Sequence, residues 1–205
     1  MTSEVRFLIE CYFGDISDPI LATINRAYLD MQAHTVSGDK ENVIFPKRKA
    51  VTEYLYNRLK SINKNDNYNN WHKETANHIK TFIYRKMSYG QIQKWINMSV
   101  KYLYTLKQLG VDGISDSFDV DQRSKFHAPI DSYVLNELKV KEEVWSSISN
   151  YDSYDKYRKM ISFEKEYDEW PEYRRKAFRK KDGTERLAEK GSYRRYVQDQ
   201  GGYKF

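Results

Sequence analysis

The sequence predicts an all-α fold, and three observations predict it. Apolar residues recur every three or four positions along several stretches, most clearly at Ile92, Ile96, Val100, Leu103 and Leu106. Helix start and stop signals bracket such stretches, as at Asp18-Pro19 and Gly110. No segment alternates apolar and polar residues like a half-buried strand, and no fixed-period repeat occurs. At 205 residues the chain is long enough for one domain with a real core, with room for two packed helical lobes.

Taking the elements in order, Asp18 is set to cap a helix with Pro19 in its first turn. Ile20, Leu21, Ile24, Tyr28 and Met31 follow at helical spacing to an end near His34. Phe45-Pro46 is expected to open the next helix, whose apolar positions are Val51, Tyr54, Leu55, Leu59 and Ile62. An asparagine-rich turn over 63–70 precedes a third helix over 71–84, with Trp71, Thr75, His78, Ile79, Phe82 and Ile83 inward. The strongest pattern runs over 91–109, where Ser99 joins the apolar stripe and Gly110 closes the helix. Residues 111–125 are polar and read as an irregular connection or a short helical turn. Order resumes at Pro129 with a helix over 131–139, and 151–178 reads as a long aromatic and charged helix interrupted at Trp170-Pro171. Beyond Arg179 the pattern fades among Gly183, Gly191, Gly201 and Gly202, so the domain is expected over 1–180 and a basic, mobile tail over 181–205.

Hydrophobic residues at 40% beside charged residues at 31%, with 18 tyrosines and 4 tryptophans, describe a chain that folds rather than a disordered one. The net charge of +6 favours anionic partners, although many proteins carry as much without binding DNA. Cys11 is the sole cysteine, so neither an intramolecular disulfide nor a thiolate cluster can form, and a reducing, cytoplasmic location is expected. The apolar run Phe7-Leu8-Ile9 is far too short for a signal-peptide core, and no stretch reaches the length of a membrane span.

Two short segments carry candidate chemistry. In Gly90-Gln91-Ile92-Gln93-Lys94 a small residue lies where a backbone can approach a phosphate, and a lysine follows it by four residues. A lysine acts as a nucleophile only as the neutral amine, despite an ordinary pKa of about 10.4. Placement at the positive N-terminal end of a helix, partly out of water, favours that form. The plainer reading of Lys94 is an ordinary exposed helical lysine. In Ala128-Pro129-Ile130-Asp131 a carboxylate follows a proline–hydrophobic pair at a helix start. There it can orient a nearby amine, take up its proton and stabilise developing positive charge. Asp131 can equally be a helix N-cap. The two roles are compatible, because one oxygen can cap while the other faces the amine.

Together these segments resemble the helix-hairpin-helix DNA glycosylase superfamily, and its 8-oxoguanine glycosylase-like branch above other branches, over roughly Met87 to Leu138. The resemblance includes the run from Tyr89 to Met98, Lys101-Tyr102-Leu103-Tyr104 and His127-Ala128-Pro129-Ile130-Asp131. In the family pattern Gly-hydrophobic-Gly-x-Lys, Gly90 and Lys94 match, while Ile92 replaces the second glycine and points to an altered hairpin. The 37 residues from Lys94 to Asp131 exceed a compact version of the motif, leaving the polar insert 111–126 to account for the excess. The resemblance implies a base-flipping glycosylase with abasic-site lyase activity, acting on double-stranded DNA that carries a modified base. It implies Lys94 as nucleophile, Asp131 as its activator, a DNA contact through Gly90, Gln91, Ile92 and Gln93, and no cofactor. Oxidised guanine is the family's expected substrate, with a base peculiar to phage or foreign DNA as the other possibility, so repair and defence both stay open. A monomer is expected.

Further candidates stand beside plainer readings. His127 could reach a phosphate or simply be a loop histidine. Trp95, beside the lysine, could line a base pocket, though a tryptophan at helical spacing is more often core. Arg174, Arg175 and Lys176 belong to the densest basic run, suited to phosphate contact, yet Glu166, Asp168, Glu169 and Glu172 offset it as a solvated helix face would. The four histidines make no spaced metal pair, so no metal is expected. There is no Walker-type loop, Gly-x-Ser-x-Gly elbow or His-Glu-x-x-His motif. The rival to the enzyme is a non-catalytic all-α module that binds nucleic acid or protein.

Overall fold

The computed structural model describes residues 1–31, 41–140 and 144–169, and every regular element among them is helical. The compact unit formed by these helices spans Met1–Tyr167. The domain edge expected at residue 180, the tail over 181–205 and the Trp170-Pro171 interruption lie outside the described residues.

Helix α1 (Ser3–Phe13), which the apolar spacing did not announce, is capped by the Thr2 hydroxyl accepting the Val5 N–H at 3.4 Å. Helix α2 (Pro19–Asp30) starts as its sequence signals require: Asp18 accepts the Leu21 N–H at 3.0 Å, and Pro19 occupies a position whose missing N–H needs no partner. Helix α3 (Glu41–Lys60) begins ahead of Phe45-Pro46, so the proline lies inside the helix rather than opening it. So near the helix start its missing N–H removes a single bond, and the buried Val51, Leu55 and Leu59 anchor the remainder.

Helix α4 (Tyr68–His78) starts before Trp71 because Asn67, expected in a turn, is its cap and accepts the Asn70 N–H at 3.2 Å. A π-helical turn over Ile79–Ile83 follows. Its wider winding rotates the register, so Phe82, expected inside, is 73% exposed while Ile79 stays buried.

A short turn over 84–88 leads into α5 (Tyr89–Gln108), the centre of the unit. The side chain of Ser88 accepts the Gln91 N–H at 3.0 Å and the Gln91 side chain accepts the Ser88 N–H at 3.0 Å, a reciprocal capping box. The whole stripe Ile92, Ile96, Ser99, Val100, Leu103 and Leu106 is fully buried. It packs most extensively on α2 and also on α4 and on a 3-10 turn at Trp145–Ser147. Gly110 ends the helix at φ 78°, the left-handed region glycine adopts without strain.

The polar connection folds into 3-10 turns at Asp116–Phe118 and Val120–Lys125. Helix α6 (Ser132–Glu137) is shorter than expected and closes with Lys139 at φ 58°. Helix α7 (Tyr151–Arg158) also ends early, and residues 163–169 are helical again. The break precedes Trp170 because Ser162 Oγ accepts the Lys165 N–H at 3.1 Å, capping a new helix, with Ile161 buried in the gap. No helix among the described residues is long and apolar enough to cross a membrane.

Candidate active site

Lys94 is the sixth residue of α5, one and a half turns past its cap. The terminal dipole acts mainly within the first turn, so the helix end lends this amine less than its place in the motif promised. Surroundings matter more. Lys94 Nζ lies 3.4 Å from Asp131 Oδ2, with the two side chains only 10% and 17% exposed. The same amine sits 4.6 Å from the centre of the Trp145 ring. A cation over an indole face is attracted by about 0.5–2 kcal/mol, so the ring and the carboxylate hold the ammonium from two sides.

Asp131 divides its two oxygens between the two roles its sequence position left open. Oδ1 accepts the Tyr133 N–H at 2.9 Å and the Val134 N–H at 3.2 Å, capping α6, while Oδ2 faces Lys94. The cap fixes the carboxylate, so little rotamer freedom remains to be lost when it acts on a neighbour.

Two buried amides on α5 bring these distant residues together. Gln93 Nε2 donates to the Ile130 carbonyl at 2.6 Å and to the Gly90 carbonyl at 2.8 Å, and its Oε1 accepts the Ile130 N–H at 3.1 Å. Asn97 Nδ2 donates to the Ala128 carbonyl at 3.3 Å, to Gln93 Oε1 at 3.1 Å and to the Tyr154 hydroxyl at 2.9 Å. Residues 128–131 are therefore strapped along α5, delivering Asp131 to Lys94. Gln93, expected to meet DNA, is instead part of the strap. Asn97 was missed, although polar amides four residues apart on an otherwise apolar helix are a signal that could have found it.

The N-terminal turn of α5 is closed to a DNA phosphate, which corrects the expected contact through Gly90, Gln91, Ile92 and Gln93. The Gly90 N–H donates to the Ile148 carbonyl at 3.2 Å. A Cβ at Gly90 would lie 1.7 Å from the Trp145 carbonyl oxygen, so glycine is required here for the 145–148 segment to seat. Gln91 is engaged in the capping box, and Ile92 is fully buried. The exposed residues of the preceding turn are Arg85 and Lys86, and Lys80 Nζ holds that turn by donating to the Arg85 carbonyl at 2.6 Å and the Met87 carbonyl at 2.7 Å.

Two further candidates are also corrected. Trp95 is core: it is 1% exposed, donates Nε1–H to the Ile24 carbonyl at 2.9 Å and packs on Tyr28, so it lines no base pocket. The tryptophan at the amine is Trp145, far away in sequence. His127 is 4% exposed, with Nδ1 at 2.8 Å from the Tyr154 hydroxyl and Nε2 at 2.7 Å from Asn69 Oδ1. Burial pushes it well below the ordinary imidazole range, aided by the neighbouring His72, so it is a neutral structural link rather than a cation for phosphate. Arg174, Arg175 and Lys176 lie outside the described residues.

Two turns beyond Lys94 on α5, Lys101 donates to Glu166, a carboxylate only 2% exposed. Burial raises the Glu166 carboxyl, opposed by the Lys101 ammonium, and the charges of Asp131 and Lys94 also act on it. A second buried ion pair therefore flanks the first. Among the described residues no group of three histidine, cysteine or acidic side chains is arranged to hold a metal. No family model matches the chain, and neither a curated protein nor a solved structure matches it.

Proposed function

We propose that this chain is a DNA glycosylase with abasic-site lyase activity that excises a modified base from double-stranded DNA through Lys94. One observation carries the reading: the Lys94 amine lies 3.4 Å from a carboxylate whose second oxygen is committed to capping α6, on the two residues that the glycosylase-like motif singles out. Charged pairs are ordinary on surfaces, but this one is largely withdrawn from water and joins segments 37 residues apart.

In the proposed reaction Lys94, as the neutral amine, attacks C1′ of an extruded nucleotide. Asp131 takes the proton that converts the Lys94 ammonium into the attacking amine, the glycosidic bond breaks with its electron pair leaving on the base, and the proton that the nitrogen sheds on bonding to C1′ goes to the departing base. Opening of the sugar leaves an iminium between Lys94 and C1′, and loss of a C2′ proton then expels the 3′-phosphate and cuts the strand. Trp145 has to move from above the amine for C1′ to approach. The exposed Arg85 and Lys86 take the place of Gly90–Gln93 as the turn surface that a phosphate would meet. Oxidised guanine is the first substrate to test, and a base found in phage or foreign DNA is the second, giving a role in repair or in defence.

A non-catalytic module for nucleic acid or protein is the second reading, favoured by the near-complete burial of Lys94 under Trp145. Borohydride trapping on duplexes carrying a panel of modified bases separates the two. The glycosylase yields a protein–DNA adduct that disappears in Lys94→Ala and Lys94→Gln. No adduct with any base, or an undiminished adduct in both variants, removes Lys94 as nucleophile.

A further inference from the structure

Away from Lys94, a cavity of about 570 Å³ opens where the start of α4, the segment 124–127 and the chain after α7 meet. Lys125, Arg158 and Lys159 line it against a single carboxylate, Asp66. Arg158 and Lys159 share Asp155 as a partner. Lys125 makes no direct ion pair among the described residues: its ammonium donates to the Lys64 carbonyl at 3.2 Å, and burial pushes its amine below the ordinary lysine value, opposed by the more distant charges of Asp66 and Asp121. The walls add neutral donors, the hydroxyls of Ser124 and Ser162 and the amide of Asn69. Three lining cations facing one lining carboxylate, with hydroxyl and amide donors beside them, describe a place for an oxyanion that accepts from several directions.

The cavity wall is wired to the Lys94–Asp131 pair. Asn69 Oδ1 contacts His127 Nε2 at 2.7 Å, His127 Nδ1 contacts the Tyr154 hydroxyl at 2.8 Å, and Asn97 donates to that hydroxyl at 2.9 Å. Asn97 is also one of the two amides that strap residues 128–131 to α5. An occupant drawing on Asn69 would therefore act on the network that positions Asp131.

We propose that this cavity binds a backbone phosphate of a nucleic-acid strand, with Lys125 and Lys159 as its charged ligands and Ser162 and Asn69 as neutral donors. The choice of a nucleic-acid phosphate rests on the glycosylase reading. The bound phosphate locks the network at Asn69 and His127, so backbone binding at one end is felt at the segment bearing Asp131.

The test uses the full chain, a fluorescent duplex of unmodified sequence, and inorganic phosphate as a separate arm. Affinity is measured across a salt series for wild type, for Lys125→Gln with Lys159→Gln, and for Lys125→Arg with Lys159→Arg, while the His127 ring nitrogens are followed by NMR. The expected result is a slope of log affinity against log salt that falls by about 0.9 for each phosphate no longer neutralised in the glutamine variant and returns in the arginine variant. The His127 resonances shift when duplex binds to wild type and remain still in the glutamine variant. An unchanged slope overturns the proposal, as does a His127 shift with inorganic phosphate but none with duplex, which means an adventitious ion only. Because the duplex carries no modified base, the readout is independent of trapping at Lys94, and failure of one leaves the other interpretable.

Discussion

Replacing Gly90 with alanine sets a methyl carbon 1.7 Å from the Trp145 carbonyl oxygen and 2.8 Å from its carbonyl carbon. The obstacle is backbone, not the tip of a flexible side chain, so the 145–148 segment has to shift by more than an ångström. That shift breaks the hydrogen bond from the Gly90 N–H to the Ile148 carbonyl and lifts the Trp145 ring from Lys94. Overpacking of this kind costs about 1–3 kcal/mol and the broken hydrogen bond about 1 kcal/mol. Alanine recovers about 0.5–1 kcal/mol through its better helix propensity. The expected net loss is about 1–3 kcal/mol, read from urea unfolding followed by circular dichroism. A glycine held open for a DNA phosphate makes the opposite forecast, because alanine in an exposed first turn is neutral or slightly stabilising. Gly90→Ala as stable as wild type, or more so, would refute the packing argument and reopen the hairpin as a phosphate contact.

Two more outcomes are expected. Asp131→Asn keeps an oxygen for the Tyr133 and Val134 N–H groups, so stability should change little, whereas Asp131→Ala loses the cap and about 1 kcal/mol. On the proposed mechanism, single-turnover excision by Asp131→Asn falls by orders of magnitude, and equal activity would leave the residue as a cap alone. Acid should destabilise the fold well above the carboxylate range: burial holds His72 neutral down to about 3, and His127 is pushed well below its usual value. The unfolded chain protonates both near 6.5, so as pH falls from there it binds more protons than the native state. Stability then drops by up to about 1.4 kcal/mol per pH unit for each imidazole, and equal urea midpoints at pH 7 and pH 5 would contradict this.

Much of the helical framework was readable because it is local. The stripe along α5, the Asp18-Pro19 start and the Gly110 stop each depend on residues a turn apart, and all three appear in the structure. Asp131 as a cap was readable for the same reason. What escaped is non-local or a matter of register. Nothing near Gly90 announces that a carbonyl from residue 145 rests on it, and nothing near Lys94 announces the Trp145 ring. Phe82 follows the helical spacing faithfully and still points outward, because one π turn changes the count. Pro46 looked like a helix start because proline tolerates that position, but a helix can also absorb it one turn in when the buried residues beyond it hold the remainder. Trp95 and His127 were nominated for their chemistry, and burial assigns both to structure.

The linked side chains behind the Lys94–Asp131 pair have a direction. Asn69 Oδ1 can only accept, and a neutral imidazole carries one N–H, so the His127 proton belongs on Nε2. Nδ1 is then a lone pair, and the Tyr154 hydroxyl must donate to it while receiving from Asn97. Every proton points the same way, outward from α5 to exposed Asn69 at the start of α4. Aspartate at position 97 would take away the N–H that Tyr154 accepts, and phenylalanine at position 154 would remove the shared partner of Asn97 and His127 Nδ1 at once, so a change at one member falls on its neighbour in another segment.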